Sequence, residues 1–219
     1  MSFGTVAAAL LLAACGSQRQ DVAEPRGNFS VQIAKAQFPS AQRLSEHTHL
    51  VIAVKNTGNK AIPNVAVTIT DPHYGTADAA FNTMLPAQEG NQLGLASRSR
   101  PVWIVDHAPE REIVSDLAKA RPYCRFSCQS GGPGGATTAY SNTWAAGSLQ
   151  PGAIAVFDWG VTAVRAGRYT IQYQIAAGLN GKAKAQLSGG GRPIGRLQVS
   201  ISSQPAQGYV TDSGGVVSK

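Results

Sequence analysis

Charge is what this sequence has least of. Asp, Glu, Lys and Arg make up 14% of its 219 residues, against about 25% in an average soluble domain. Acid is scarcest toward the C-terminus. Residues 117–219 hold ten Lys and Arg beside only Asp158 and Asp212, a balance of +8, whereas residues 1–116 hold nine bases and ten acids, a balance of −1. One half of the molecule is therefore basic. That bias reads either as attraction to an anionic surface, such as lipid headgroups, acidic cell-wall polymer or nucleic acid, or as a solvated face with no specific partner. Cysteine is also rare, with three in the chain; a unit of about 150–190 residues buries enough apolar surface to fold without many disulfides or a metal. The uncharged run TVAAALLLAA, residues 5–14, rises only about 15 Å as a helix and falls short of a bilayer core of about 30 Å. No internal repeat is present.

What the chain does have is glycine, proline and alternation. It contains 24 Gly and 12 Pro, with an ordinary apolar fraction of 43%, a composition that favours strands and turns over a helical bundle. Apolar side chains recur at every second position around Phe29–Ile33, Leu50–Val54, Val65–Ile69, Phe157–Val161, Tyr169–Ile175 and Leu197–Ile201. A period of two puts them on one face of a strand and their neighbours on the other. Turn-forming sequences separate the runs: Asn56–Asn59, Gln150–Gly152, Arg165–Gly167 and Gly178–Gly181. The pattern predicts an all-β, antiparallel sandwich over residues 29–203. Residues 71–150 interrupt it as a long irregular insertion, with one or two short strands such as Pro101–Val105. Stretches of that length are functional or disordered more often than not. Helical spacing occurs once, at Pro109–Ala120, where Ile113 and Leu117 stand four apart behind a proline and several acids; one short helix is expected there. Gln204–Lys219 reads as a loose tail.

The N-terminal run ends Leu12-Ala-Ala-Cys15-Gly16, which resembles the bacterial lipobox. The resemblance implies that residues 1–14 are a signal peptide and that Cys15 becomes a lipid-modified N-terminus in the cell envelope. Two or three acyl chains hold a protein stably where one does not. The preceding MSFGTV carries no Lys or Arg, a departure from the basic start such peptides usually have; the other reading is a short apolar N-terminus that happens to end in Cys. Residues 15–28 are polar and read as a tether. If lipid takes Cys15, then Cys124 and Cys128 remain. In an exported protein they can close a small disulfide loop; a metal or redox pair is the alternative, without a CxxC spacing or a second pair to support it.

Two longer segments carry a second resemblance: VIAVKNTGNKAIPNVAVTI, residues 51–69, and LQPGAIAVFDW, residues 149–159, followed by AGRYTIQY, residues 166–173. Together they resemble bacterial immunoglobulin-like domains of the CARDB (cell-adhesion-related) type over under a third of the chain. The resemblance implies an immunoglobulin-like sandwich in which Tyr169 bonds back to an upstream backbone group, as in a tyrosine corner. It implies no activity.

Residues able to carry chemistry are few. His47 and His49 stand at i and i+2 of an expected strand and so share a face, which is how a metal site could begin. A third ligand would come from His73, Asp106 or His107; otherwise the two are surface imidazoles. Ser130 lacks the Gly-x-Ser-x-Gly elbow of a hydrolase. Glu110, Glu112 and Asp116 fall together and read better as charges at a helix start than as a glycosidase pair. Gly131–Gly135 lacks the Lys-Ser/Thr of a phosphate loop. Trp103, Tyr140 and Trp144, all in the insertion, are the candidates for stacking on a sugar or anchoring a partner; the tryptophans read better as a core strand residue, Trp103, and a cap on the end of the sandwich, Trp144. The sequence thus points to a monomeric, membrane-anchored lipoprotein whose non-catalytic domain binds or positions an envelope protein or glycan. No cofactor, metal or specific nucleic acid is expected. A structural spacer or assembly factor is the alternative, and an envelope hydrolase the least favoured.

Overall fold

A computed structural model describes residues 23–70, 81–83, 101–105, 110–120, 143–210, 212 and 216–218. Each alternating run is a strand. In chain order the first are β1 (Gly27–Gln37), β2 (Ala41–Leu44), β3 (His47–Asn56) and β4 (Ile62–Thr70). β5 (Phe81–Thr83), β6 (Trp103–Val105), β7 (Glu110–Val114) and β8 (Thr143–Leu149) follow, then β9 (Ile154–Ala163), β10 (Gly167–Ala176), β11 (Ala183–Leu187) and β12 (Ile194–Pro205). They form two sheets. One runs β11-β1-β3-β9-β6-β5, with β7 also on β9; the other runs β2-β12-β10-β4-β8. Among the described residues no helix is long and apolar enough to cross a membrane.

The sheets face each other across one core. Leu50, Ile52 and Val54 of β3 and Phe157, Trp159 and Val161 of β9 meet Val65, Val67 and Ile69 of β4 and Tyr169, Ile171, Tyr173 and Ile175 of β10. Removing each aliphatic side chain from water contributes about 1.5–3 kcal/mol. The expected all-β sandwich is thus the observed fold. Through its long strands the chain changes sheet at almost every connection, β1 to β2 to β3 to β4 and β8 to β9 to β10 to β11 to β12. Its central pairings are antiparallel, while β11 on β1, β2 on β12 and β5 on β6 are parallel edge pairings. The tyrosine corner is present: Tyr169 Oη donates to the Ala166 carbonyl at 2.8 Å, over Gly167, whose φ of 149° and contact with the Tyr169 ring both exclude a side chain.

Three expectations need correction. The helix over Pro109–Ala120 is instead β7 followed by a 3-10 turn, Leu117–Lys119. Residues 110–114 pair along β9 from Asp158 to Ile154, because a central strand needs backbone partners on both edges. Val114 and Leu117 instead both pack against Ala53, Ile154 and Val156 on the outer face of the sheet; Ile113 is 48% exposed. Asp116 caps the turn, accepting from the Ala118 amide. The insertion is therefore a supplier of strands: β6 and β7 share one edge of β9, and β8 pairs with β4. Lastly, residues 208–210 and 216–218, placed by sequence in a disordered tail, form an antiparallel ribbon, β13 (Gly208–Val210) with β14 (Val216–Ser218). Tyr209-Val210 and Val216-Val217 are β-favouring residues on either side of a Gly-containing segment.

Candidate functional site

Of the residues singled out by sequence, Cys15, Cys124, Cys128, Tyr140, His73, Asp106, His107, Ser130 and Gly131–Gly135 lie outside the described residues. Trp103 and Trp144 are described: neither is placed for stacking, and Trp103 is the core strand residue of the other reading. Trp103 is fully enclosed and Trp144 is 9% exposed. Trp103 donates its indole N–H to Gln42 Oε1 at 2.7 Å and packs against Phe38 and Tyr169. Trp144 packs edge-on against Trp159. Each sits at an inward register position of a paired strand, so the rings fill the core and offer no face to a ligand.

The cavities lie elsewhere, at the end of the sandwich where the chain enters it. Two adjoining clefts of about 400 and 520 Å³ share Asn28, Gly181 and Lys184. Arg26 and Lys182 line the first and Arg192 the second. The parallel pairing of β1 with β11 sets Asn28 opposite Lys184, and the β10–β11 turn adds Gly181 and Lys182. Four cationic side chains from two distant parts of the sequence, residue 26 and residues 182–192, thus share one surface. A single carboxylate organises it: Glu24 accepts from the Asn180 and Ala183 amides at 2.8 and 2.7 Å. Gly178 leaves the room that this carboxyl occupies, where a β-carbon would collide with it. The segment read as a free tether to residue 28 is therefore fastened to the domain from Glu24 onward. Sequence recorded the basic half; it did not show that Arg26 joins Lys182, Lys184 and Arg192, because only the β1–β11 pairing unites them.

A second polar group lies on the outer face of the β3–β9 pair. His49 Nδ1 and Asp158 Oδ1 are 2.8 Å apart, and the His47 and His49 rings meet edge to face with centroids 5.2 Å apart. His49 is opposite Gly160 and His47 opposite Thr162. The shared face of the two histidines was legible from their spacing; Asp158, 109 residues away from His49, was not. Among the described residues no three of His, Cys, Asp and Glu gather as ready metal ligands.

No family model matches the chain, and no curated protein does. Solved structures similar to it are distant. The CARDB domain of the PF1109 protein from Pyrococcus furiosus, in complex with di-metal ions, has a TM-score of 0.37 and 13% identity, over 80% of this chain and 87% of that one. BslA, a bacterial hydrophobin, has a TM-score of 0.35 and 9% identity, over 82% and 99%. Salmonella alpha-2-macroglobulin reacted with methylamine has a TM-score of 0.33 and 14% identity, over 82% of this chain and 7% of that one.

Proposed function

We propose that this chain is a membrane-anchored envelope lipoprotein whose non-catalytic sandwich holds an anionic envelope component in the basic cleft. The observation that carries the reading is the convergence of Arg26, Lys182, Lys184 and Arg192 on adjoining clefts beside the point of chain entry. Glu24 ties that entry to the same turn. Cys15 stands nine residues before Glu24, a reach of roughly 30 Å at full extension. An acylated Cys15 would keep the cleft close to headgroups and to wall polymer alike. Each Lys or Arg near an anionic surface contributes about 1 kcal/mol.

Two measurements test this. Cells expressing the protein should label it with palmitate, and Cys15→Ser should abolish both the label and membrane fractionation; an unlabelled wild type removes the anchor. The purified chain should sediment with phosphatidylglycerol vesicles or with isolated acidic wall polymer, and not with phosphatidylcholine vesicles. Lys182→Ala/Lys184→Ala should weaken that binding by more than tenfold, at about 1 kcal/mol per charge. Binding that the double variant leaves unchanged, or no binding in either arm, refutes the cleft's role and favours a spacer.

A further inference from the structure

We propose that His47 and His49 form a binding site for a transition-metal ion of the Zn²⁺, Ni²⁺ or Cu²⁺ type on the outer face of the β3–β9 pair. Three observations converge on it. The imidazoles stand two apart on one strand and project from the same face, His47 exposed and His49 half-buried. Two imidazoles on one tetrahedral ion, at metal–nitrogen distances of about 2.0–2.1 Å, hold their ring centroids roughly 5 Å apart; those of His47 and His49 are 5.2 Å apart. Asp158 receives His49 Nδ1 at 2.8 Å. That bond fixes the tautomer whose Nε2 carries the lone pair, and a carboxylate behind the ring is the usual support of a metal-binding histidine.

The roles are distinct. His47 and His49 are the ligands that the described residues supply. Asp158 is a positioning residue: it orients His49 and makes its ring a better donor. Imidazole ligands favour Cu²⁺, Ni²⁺ and Zn²⁺ over Mg²⁺ and Ca²⁺, and the order of divalent affinities puts Cu²⁺ above Zn²⁺. The inference is independent of the basic cleft, which involves none of these residues.

The test is calorimetric titration of the full chain, free of any polyhistidine tag and stripped with chelator, with Zn²⁺ and Cu²⁺ separately. One ion per chain should bind at a site that His47→Ala and His49→Ala each weaken by at least tenfold. Asp158→Asn should weaken it about tenfold without abolishing it, as loss of a supporting carboxylate does. Because His47 is exposed, His47→Gln serves as a second variant whose fold, followed by circular dichroism, should be unaltered. Absence of binding, or binding that survives His47→Ala/His49→Ala at full affinity, overturns the proposal. So does a Mg²⁺ affinity equal to that for Zn²⁺.

Discussion

Asn56 is the residue on which the turns at one end of the sandwich depend. It is fully buried, at the end of β3. Its side-chain amide donates to the carbonyls of Lys60 and Leu149, both at 2.8 Å, and its Oδ1 accepts from the Gly58 amide at 3.0 Å. Its backbone is engaged as well, donating to Ala153 and accepting from Gly152. One side chain therefore shapes the β3–β4 turn and fastens it to the end of β8, while its backbone holds the segment between β8 and β9. Asn56→Ala would strand the buried Leu149 carbonyl and break the half-buried contacts to the Lys60 carbonyl and the Gly58 amide, so a loss of about 2–4 kcal/mol is expected. Urea denaturation measures it, and a change under 1 kcal/mol would show that the turns hold without the amide. Gln42 plays a similar part between the sheets: from β2 it accepts from Trp103 of β6 and donates to the Pro39 carbonyl. Both are polar residues in positions that pattern reading assigns to loops or to an exposed face. Only the contact across the sandwich reveals their work.

Strand β10 shows what was legible at the scale of elements. Its alternation placed Tyr169, Ile171, Tyr173 and Ile175 on one face, and all four are in the core. The reason is physical: when both neighbours of a strand are paired and one face is buried, period two admits one orientation. β7 was illegible because its apolar residues suit either period, and its strand state comes from the unpaired edge of β9, which lies 40 or more residues further on. The same remoteness hid the basic cleft, whose members meet only through β1 and β11. β10 also carries a pH dependence. The Tyr173 ring lies over Gly195, its partner on β12, where any β-carbon would collide with the phenol. Burial raises the Tyr173 phenol above its ordinary pKa of 10.0. A raised folded value means that the native state holds the proton more tightly than the unfolded chain. The associated stability is complete below the unfolded pKa and is lost as pH climbs from there through the folded one. Stability should therefore fall as pH rises above about 10. Tyr173→Phe should flatten that fall, and identical alkaline profiles for the two proteins would remove Tyr173 as its source.

At the scale of the whole molecule, the two candidate sites lie on different elements and answer to different forces. The cleft joins the first strand to the β10–β11 turn and to Arg192, and draws on an excess of positive charge: the second half of the sequence balances to +8. Such attraction works through solvent and decays over the Debye length, about 10 Å at 0.1 M salt and 3 Å at 1 M. The histidine pair lies on β3, beside Asp158 of β9, and binds through coordinate bonds of about 2 Å, a range on which salt has little hold. Sodium perchlorate, a salt of weakly coordinating ions, should therefore separate them. Raised from 0.05 to 0.5 M, it should release the chain from phosphatidylglycerol vesicles or acidic polymer and leave its Zn²⁺ titration within about threefold, since coordination is not screened as the cleft is. Lys182→Ala/Lys184→Ala should reduce the first response and spare the second, while His47→Ala should do the reverse. If perchlorate weakened both to the same degree, the cation-lined cleft and the imidazole pair would not be acting as separate sites.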